Sequence, residues 1–477
     1  MSEPRAPRLV CRAALLGALA ALAGCGFGEG DETAASPPPT KPAPFATPQP
    51  TIAERGSTEA PPELPGGIML ALAQFVDEGG KSVPGPARLE FVYRDAGAWK
   101  TAALEDPESN VFHKALVYDG AGGPEILTLG GTAAAVKAWA PAAGSLEATT
   151  LWKQDFGGKF SRMRDAEVAD LYGDGGASIV VATHDQGVVA VLRPEPGSAG
   201  GFAASELDRE PDTFVHEVEV GDLDGDGVLE VYATPSEPNR LDGTPQSGKV
   251  VRYVPKRGEG RVVVADLGER HAKEILVEDL DGDGRDELYV SVEGTTAPDG
   301  KTLVDPVEIR VYQAGTPPTG GVRIATLPDR LSRFLTAGDV DGDGRKELVA
   351  AAFSSGVWLL RPGSQSGEGK RPEGARSELE ASEEPDGRLI AGRPPAEEWD
   401  VELIDPDSAG FEHAAILADL DGDGVDELYV ASDRHKELRR YVWRSGRPVR
   451  ETIYRRPDAR PIFTWNLMPV PVELIPR

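Results

Sequence analysis

The sequence predicts an all-β fold, a seven-bladed β-propeller, from three observations. A short acidic loop recurs at intervals of roughly 50 to 80 residues through most of the 477-residue chain. Each loop separates two strand-like runs and is followed by two more, so every repeat supplies the four short strands of a propeller blade. A strand left over at the end of the chain completes a seventh blade with three strands near the beginning. The 56 glycines and 41 prolines fit an architecture with many tight turns.

The first 24 residues predict a lipoprotein signal peptide. Three arginines precede an apolar run at residues 13–23, which is shorter than the roughly 20 residues that span a bilayer. The run ends at Leu22-Ala23-Gly24-Cys25, which resembles the bacterial lipobox. The resemblance implies cleavage before Cys25, lipidation of that cysteine and, from Gly26, an outer-membrane location in a Gram-negative cell. An ordinary secretory signal with an incidental cysteine is the alternative.

Residues 25–66 predict the lipidated cysteine followed by a disordered tether. Ten prolines lie between residues 26 and 65, among alanine, threonine, serine and glutamate. At about 3.1 Å per residue, an extended polyproline-like segment of this length reaches on the order of 100 Å. A second low-complexity stretch, about 363–397, predicts a disordered insertion within the propeller domain, which we place at residues 67–477.

The charge and the cysteine count exclude several classes of protein. A formal net charge of −29 disfavours binding to nucleic acid or to an anionic membrane surface, so we expect membrane contact through the lipid anchor only. Two cysteines cannot support a disulfide scaffold, and one of them leaves with the signal peptide. We expect a monomer whose stability comes from other sources.

The strand-like runs divide the propeller into seven blades. Residues 67–105 supply three strands, and Ile462–Leu467 is the spare strand that joins them and closes the ring without exposed sheet edges. The six complete units cover about residues 112–155, 165–208, 216–268, 273–328, 333–404 and 413–456.

Four loops share the pattern Asp-x-Asp-Gly-Asp-Gly-x-x-Glu, followed by an apolar run. They begin at Asp222, Asp279, Asp339 and Asp419. These repeats resemble the FG-GAP/VCBS repeats of integrin-α-like β-propellers, and the resemblance covers most of residues 67–468. A degenerate copy at Asp170 and a more worn one at Val117 depart from the pattern.

The loop chemistry is that of a hard cation, and we predict about four Ca²⁺ sites. Ca²⁺ takes about six to eight oxygen ligands, and alternate residues of a tight turn direct carboxylates toward one point. Positions 1, 3, 5 and 9 supply side chains and position 7 a backbone carbonyl. The predicted ligands are Asp222, Asp224, Asp226, Val228 and Glu230; Asp279, Asp281, Asp283, Arg285 and Glu287; Asp339, Asp341, Asp343, Arg345 and Glu347; and Asp419, Asp421, Asp423, Val425 and Glu427.

The same loops have two alternative interpretations. An EF-hand needs a bidentate glutamate at position 12, which is alanine or valine in all four copies. Acidic turns without metal remain the alternative for the four complete loops. For the loop at Asp170, where Tyr172 and Ser178 replace acidic residues, the metal-free turn is the favoured interpretation.

A basic or potentially basic residue precedes each loop by six positions. In a propeller the first strand of each blade lines the central channel, so these residues would ring the mouth opposite the loops. The ring could attract an anionic ligand such as an acidic sugar; solvated strand ends are the alternative. Its members are Arg164, His216, Lys273, Arg333 and His413.

Two functions remain open at this point. The first is a calcium-stabilised propeller, anchored in the cell envelope, that binds a protein or glycan without catalysis. The second is an extracellular polysaccharide lyase or hydrolase, because some of these enzymes resemble this propeller. We assign no catalytic residue, since the chain has no Gly-x-Ser-x-Gly elbow. A fold alone does not decide between these functions.

Overall fold

The computed structural model describes residues 64–476 except 121, 132–133, 158–161, 185, 199–200, 241, 363–398 and 458–461. The predicted signal peptide, Cys25, the tether up to residue 63 and the insertion at about 363–397 lie outside the described residues. Within them, the chain forms a seven-bladed β-propeller whose blades are antiparallel sheets, so the predicted fold class is confirmed.

Blade 1 combines the two ends of the described chain. Its strands are β1 (Gly66–Glu78), β2 (Lys81–Pro84), β3 (Ala87–Asp95), β4 (Ala98–Asp106) and β31 (Ile462–Pro471). β31 pairs antiparallel with β1, with Leu467 opposite Leu70, and a bulge interrupts the register between Ala71 and Leu72. The strand order is β31-β1-β3-β4, so the predicted completion of the first blade by a C-terminal strand is confirmed. The short β2, which extends the far end of β1, was not predicted.

Blades 2 to 7 each take four strands in chain order. Blades 2 to 4 contain β5 (Phe112–Gly120), β6 (Gly123–Gly130), β7 (Ala135–Ala142) and β8 (Ser145–Lys153); β9 (Met163–Ala169), β10 (Ser178–Thr183), β11 (Val188–Pro194) and β12 (Phe202–Arg209); and β13 (Val218–Gly221), β14 (Glu230–Ala233), β15 (Gly248–Val254) and β16 (Glu259–Gly268).

The later blades follow the same plan. A two-stranded ribbon, β19 (Thr295–Thr296) with β20 (Leu303–Asp305), projects from blade 5. Blades 5 to 7 contain β17 (Ala272–Glu278), β18 (Glu287–Val292), β21 (Val307–Tyr312) and β22 (Val322–Leu327); β23 (Ser332–Gly338), β24 (Glu347–Ala352), β25 (Gly356–Arg361) and β26 (Asp400–Asp405); and β27 (Ala415–Ala418), β28 (Glu427–Ser432), β29 (Glu437–Arg444) and β30 (Arg447–Arg455).

The core lies between the blades. The second strand of a blade is covered on both faces by its neighbours, and for this reason β24 is an apolar run after its first residue, with every residue buried. The outer strand β22 is exposed at three of its six residues and buried at the other three. The buried apolar residues form seven clusters, one at each junction between adjacent blades. The cluster between blades 7 and 1 contains Leu70, Tyr429 and Leu467, so apolar packing continues across the closure.

Helical structure in the described residues is confined to short 3-10 turns such as Pro255–Arg257 and Val472–Leu474. None of the described helices has the length and apolar character that crossing a membrane requires.

Candidate metal loops and the central cavity

The four complete acidic loops each connect the first strand of a blade to its second, in blades 4 to 7. In every loop three side chains place one carboxylate oxygen each within 4.8 Å of one another. Ligands of one Ca²⁺ at 2.3–2.6 Å lie no more than about 5 Å apart, so the spacing fits that ion. The groups are Asp222, Asp224 and Asp226; Asp279, Asp281 and Asp283; Asp339, Asp341 and Glu347; and Asp419, Asp421 and Asp423.

The loop backbone is wrapped around its first aspartate. In the loop of blade 5, Asp279 accepts hydrogen bonds from the amides of Asp283 at 3.2 Å and Gly284 at 2.9 Å. The turn needs positive φ at both of its glycines, which are at +73° for Gly282 and +87° for Gly284. The amides at positions 5 and 6 bind the first aspartate in the same way in the other three loops. The sequence pattern thus encodes one preformed turn four times.

Position 9 divides the loops into two kinds. Glu287 and Glu427 accept hydrogen bonds from Tyr289 and Tyr429 two residues further on, at 3.1 and 3.0 Å, and Glu230 is held by Tyr232 in the same way. Glu347 has Val349 at that place and groups with the aspartates instead. Burial raises the pKa of Glu347 to about 7. The structure therefore brings the predicted glutamate into the acidic group only in blade 6.

Position 5 and position 7 also show a difference between loops. The amide at position 7, in Val228, Arg285, Arg345 and Val425, donates to the aspartate at position 5 at 2.9 Å. In two loops an arginine side chain also binds the aspartate at position 5: Arg345 binds Asp343 at 2.7 Å, and Arg257 binds Asp226. Both pairings compete with metal binding by that aspartate. The predicted role of the position 7 carbonyls stays a prediction.

The degenerate loop of blade 3 carries its own positive charge. Asp170 accepts the amides of Asp174 at 3.0 Å and Gly175 at 2.8 Å, so the turn is the same as in the complete loops. The guanidinium of Arg193 binds Asp174 at 2.6 Å and stacks 3.9 Å from the ring centre of Tyr172. The worn copy at Val117 belongs to β5, which joins β6 by a tight turn.

Four of the five predicted ring residues line a cavity at the opposite end of the first strands. The cavity leaves about 40 Å³ for the centres of water molecules, which is room for roughly three waters. Arg164, His216, Lys273 and Arg333 contribute to its wall. His413 does not, because its Nδ1 contacts the carbonyl oxygen of Ala352 at 2.5 Å and its Nε2 contacts Ser408 at 2.7 Å. Burial lowers the pKa of His413 to about 4.

Glutamates from other segments neutralise most of the ring. Glu237, after β14, contacts both His216 Nε2 at 2.9 Å and Lys273 at 2.8 Å. Glu412 binds Arg333 at 3.0 Å. Burial, followed by the nearby Lys273, holds the pKa of His216 well below its usual value, so the imidazole of His216 is neutral at pH 7.

Arg164 is the least satisfied cation of the ring. Its nearest carboxylate in the described chain is Glu412, at 3.7 Å, and its guanidinium stacks 4.7 Å from the ring centre of Trp465. The indole N–H of Trp465 is buried and has no hydrogen-bond partner among the described residues. Trp465 belongs to the closing strand β31, and no pattern in the sequence marked it as a cavity residue.

A layer of carboxylates lies directly below the ring. Asp165, Glu217 and Glu274 follow the ring residues in sequence and line the same cavity, with Lys114 beside Asp165 at 2.9 Å. Burial, reinforced by repulsion from Asp165, raises the pKa of Glu217 well above its usual value. Burial raises the pKa of Glu274 in the same direction.

Replacing Glu274 with glutamine should raise the melting temperature at pH 7.5. A raised pKa means that the folded state favours the protonated carboxyl, so ionisation at neutral pH opposes folding. The glutamine oxygen can still accept the amide of Leu335, which Glu274 binds at 2.7 Å. The gain should shrink as the pH falls and vanish below about pH 4, where glutamate is protonated in the unfolded chain as well.

The control for this substitution is Glu147→Gln, which neutralises an exposed glutamate on the outer strand β8 and should leave the melting temperature nearly unchanged. Scanning calorimetry between pH 4 and 8 makes the comparison. A lower melting temperature for Glu274→Gln at pH 7.5 would contradict the expectation.

Comparison with known proteins gives a fold likeness alone. No protein-family model matches the chain, and no curated protein matches it. A candidate 6-phosphogluconolactonase from Bacteroides fragilis NCTC 9343 is similar, with 13% identity and a TM-score of 0.46, over 85% of this chain and 98% of that one. Another from Bacteroides uniformis ATCC 8492 shows 12% identity and a TM-score of 0.45, over 85% and 100%. Similarity at this level does not extend the activity named for those proteins to this chain.

Proposed function

We propose that the chain is a calcium-stabilised β-propeller that acts as a non-catalytic binding module for a protein or glycan. One observation carries the calcium part: in four consecutive blades, the loop between the first and second strands brings the oxygens of three carboxylates within 4.8 Å of one another. Oxygen ligands at this spacing favour Ca²⁺ over Mg²⁺, which keeps more of its water. When bound, the ions would supply positive charge that holds each loop together. The resemblance to FG-GAP/VCBS repeats supports this interpretation.

We propose further that the cavity takes an acidic group of the ligand. It has room for a carboxylate, which has three heavy atoms and occupies about as much space as the waters it would replace. In its wall, Arg164 has Glu412 only at 3.7 Å, and the indole N–H of Trp465 has no hydrogen-bond partner in the described chain. An acidic polysaccharide such as polygalacturonate is therefore the first ligand to test.

The substitutions Arg164→Gln and Trp465→Phe should each weaken binding of such a polysaccharide by about tenfold to a hundredfold. Losing a hydrogen bond to a charged group costs roughly 1.5–3 kcal/mol, and 1.4 kcal/mol is a factor of ten in affinity. Both variants keep most of the side-chain volume. Biolayer interferometry in millimolar Ca²⁺ on immobilised polygalacturonate gives the affinities.

Arg323→Gln is the matched control for the binding experiment, because it removes an arginine that is 61% exposed on the outer strand β22. Its affinity should equal that of the unaltered chain. Binding that survives both cavity substitutions would exclude the cavity as the site. If the unaltered chain binds no acidic polysaccharide, the glycan form of the proposal fails and a protein ligand takes its place.

One observation favours a second function, an enzyme that degrades extracellular polysaccharide. Glu217 and Glu274 combine raised pKa values with a place in a cavity that also holds cations, an arrangement typical of acid–base catalysts. The polygalacturonate experiment separates the two functions when release of reducing ends and of unsaturated products is followed in parallel. Release by the unaltered chain that is lost in Glu217→Gln would establish the enzyme.

We also propose that the chain is exported and lipid-anchored through Cys25, and that the tether carries the propeller away from the membrane. The proposal rests on the lipobox resemblance. The mass of the amino-terminal peptide, isolated from the membrane fraction, tests it: a peptide that begins at an unmodified residue would exclude the anchor.

A further inference from the structure

The eighth residue of two acidic loops binds the first residue of the loop before it. The Asp286 carboxylate accepts the amide of Asp222 at 2.7 Å, and the Asp286 amide donates to the carbonyl oxygen of Asp222 at 3.2 Å. Asp426 makes the same two bonds to Asp339, at 2.9 and 2.8 Å. Each pair of bonds joins the loop of one blade to the loop of the next. We call this pair of bonds the clasp.

In the two loops whose first residue is bound by the clasp, the residue before the loop is glycine. A Cβ atom on Gly221 or on Gly338 would lie 2.6 Å from the clasping carboxylate, so only glycine leaves room for it. The loop at Asp279 is preceded by Glu278, and the eighth residue of the following loop is Lys346, which forms an ion pair with Glu278. The clasp therefore joins the loops in two pairs, blade 4 with blade 5 and blade 6 with blade 7.

We propose that Asp286 and Asp426 are positioning residues that couple Ca²⁺ binding between the two loops of each pair. The inference rests on the proposed calcium function. The clasp fixes the backbone on both sides of Asp222, whose carboxylate accepts the amide of Gly227 at 2.7 Å and belongs to the acidic group. It thereby orients the first ligand of one loop from the neighbouring loop.

The direction of the coupling follows from the chain connectivity. Asp286 directly precedes Glu287 and follows the three aspartates of its own loop, so an ion that orders this loop also orders the clasp. The clasp then orders the loop at Asp222 before its own ion binds. Because binding free energies are linked, each loop of a pair raises the affinity of the other. The Lys346–Glu278 ion pair holds no ligand backbone among the contacts described, so coupling between the pairs is weaker.

Hydrogen exchange resolves the individual loops. The full chain is freed of metal with EDTA and titrated with Ca²⁺, and amide protection is read by mass spectrometry in peptides that cover each loop. Asp286→Ala should raise the Ca²⁺ midpoint of the loop 222–230 about tenfold, as loss of a residue that orients a metal ligand typically does. The midpoints of 339–347 and 419–427 should not move. Asp426→Ala should shift 339–347 and spare 222–230.

Asp286→Asn is the conservative control, because its side-chain oxygen can still accept the amide of Asp222, and it should restore most of the affinity. If Asp286→Ala does not fold, Asp426→Ala decides the question at the other pair. A shift shared equally by all four loops, or no shift at all, overturns the coupling while leaving the calcium sites intact. If no loop of the unaltered chain responds to Ca²⁺, the proposed calcium function fails and the coupling fails with it.

Discussion

Transfer of the purified chain from millimolar Ca²⁺ into EDTA should lower its melting temperature by on the order of 10 °C. At a hundredfold excess over Kd, each site stabilises the folded state by about 2.7 kcal/mol, so four sites contribute about 11 kcal/mol. Dividing by an unfolding entropy of about 2.1 cal/mol/K for each of roughly 400 residues gives the shift. Without the ions, three carboxylate oxygens within 4.8 Å repel one another in every loop.

Mg²⁺ at the same concentration should restore little of this stability, because it prefers to keep several waters. The matched variant changes the first aspartate of all four loops to asparagine, at Asp222, Asp279, Asp339 and Asp419, and should melt at the same temperature with and without Ca²⁺. An unaltered chain whose melting temperature is the same in EDTA and in Ca²⁺ would leave the four loops as acidic turns without metal.

Deletion of residues 459–477 should abolish cooperative melting. The deletion removes β31, the only strand that joins the end of the chain to blade 1 among those described. It also uncovers the cluster between blades 7 and 1, where Leu467 is 1% exposed, and burial of one such leucine is worth about 1.5–3 kcal/mol. The ring would then have an open edge on β1. Calorimetry and near-ultraviolet circular dichroism measure the transition.

A synthetic peptide of residues 459–477 should restore part of the cooperative transition when added to the truncated chain, since the ring is closed by pairing and not by a covalent link. A scrambled peptide of the same composition is the control. A truncated chain that melts as sharply as the intact one would show that the closure contributes little to stability.

Most of the fold could be predicted from the sequence because the same pattern of loop and strands recurs in several blades. The four complete acidic loops predicted the order of the strands within a blade. Because residues 67–105 supply only three strands, Ile462–Leu467 was predicted to complete the first blade. The structure confirms both. The ribbon of β19 and β20 was not predicted, because strands of only two and three residues leave no recognisable pattern in the sequence.

The geometry of the site was harder to predict from the sequence than the fold, because it depends on side-chain contacts that the loop pattern does not specify. The loop pattern does not predict that Glu287 lies outside the acidic group of its loop, where it accepts a hydrogen bond from Tyr289. The sequence does contain the tyrosine, at position 11 of the loop numbering. The pairing of Glu237 with both His216 and Lys273 joins segments that are distant in sequence. The clasp could have been found: aspartate at position 8 occurs only where glycine precedes the previous loop, as Gly221 does for Asp286.

The complete acidic loops lie in one continuous arc of the propeller, blades 4 to 7, and blades 1 to 3 form the other arc. In blade 3 Arg193 binds Asp174 of the degenerate loop. In blades 4 and 6 Arg257 and Arg345 each bind a single aspartate of their loop, and the other carboxylates there remain, on our proposal, for an ion from solution. Blade 2 has a tight turn in place of the loop, and β31 in blade 1 lies at one of the two places where the arcs meet. On the calcium proposal, the junction between blades 3 and 4 and the closing strand in blade 1 are the two boundaries between an arc whose rigidity follows the surrounding ion concentration and an arc whose rigidity does not. Under the same proposal, a drop in calcium would loosen blades 4 to 7 more than blades 1 to 3, and the closure at blade 1, which is not covalent, would be one of the two places that bear the difference.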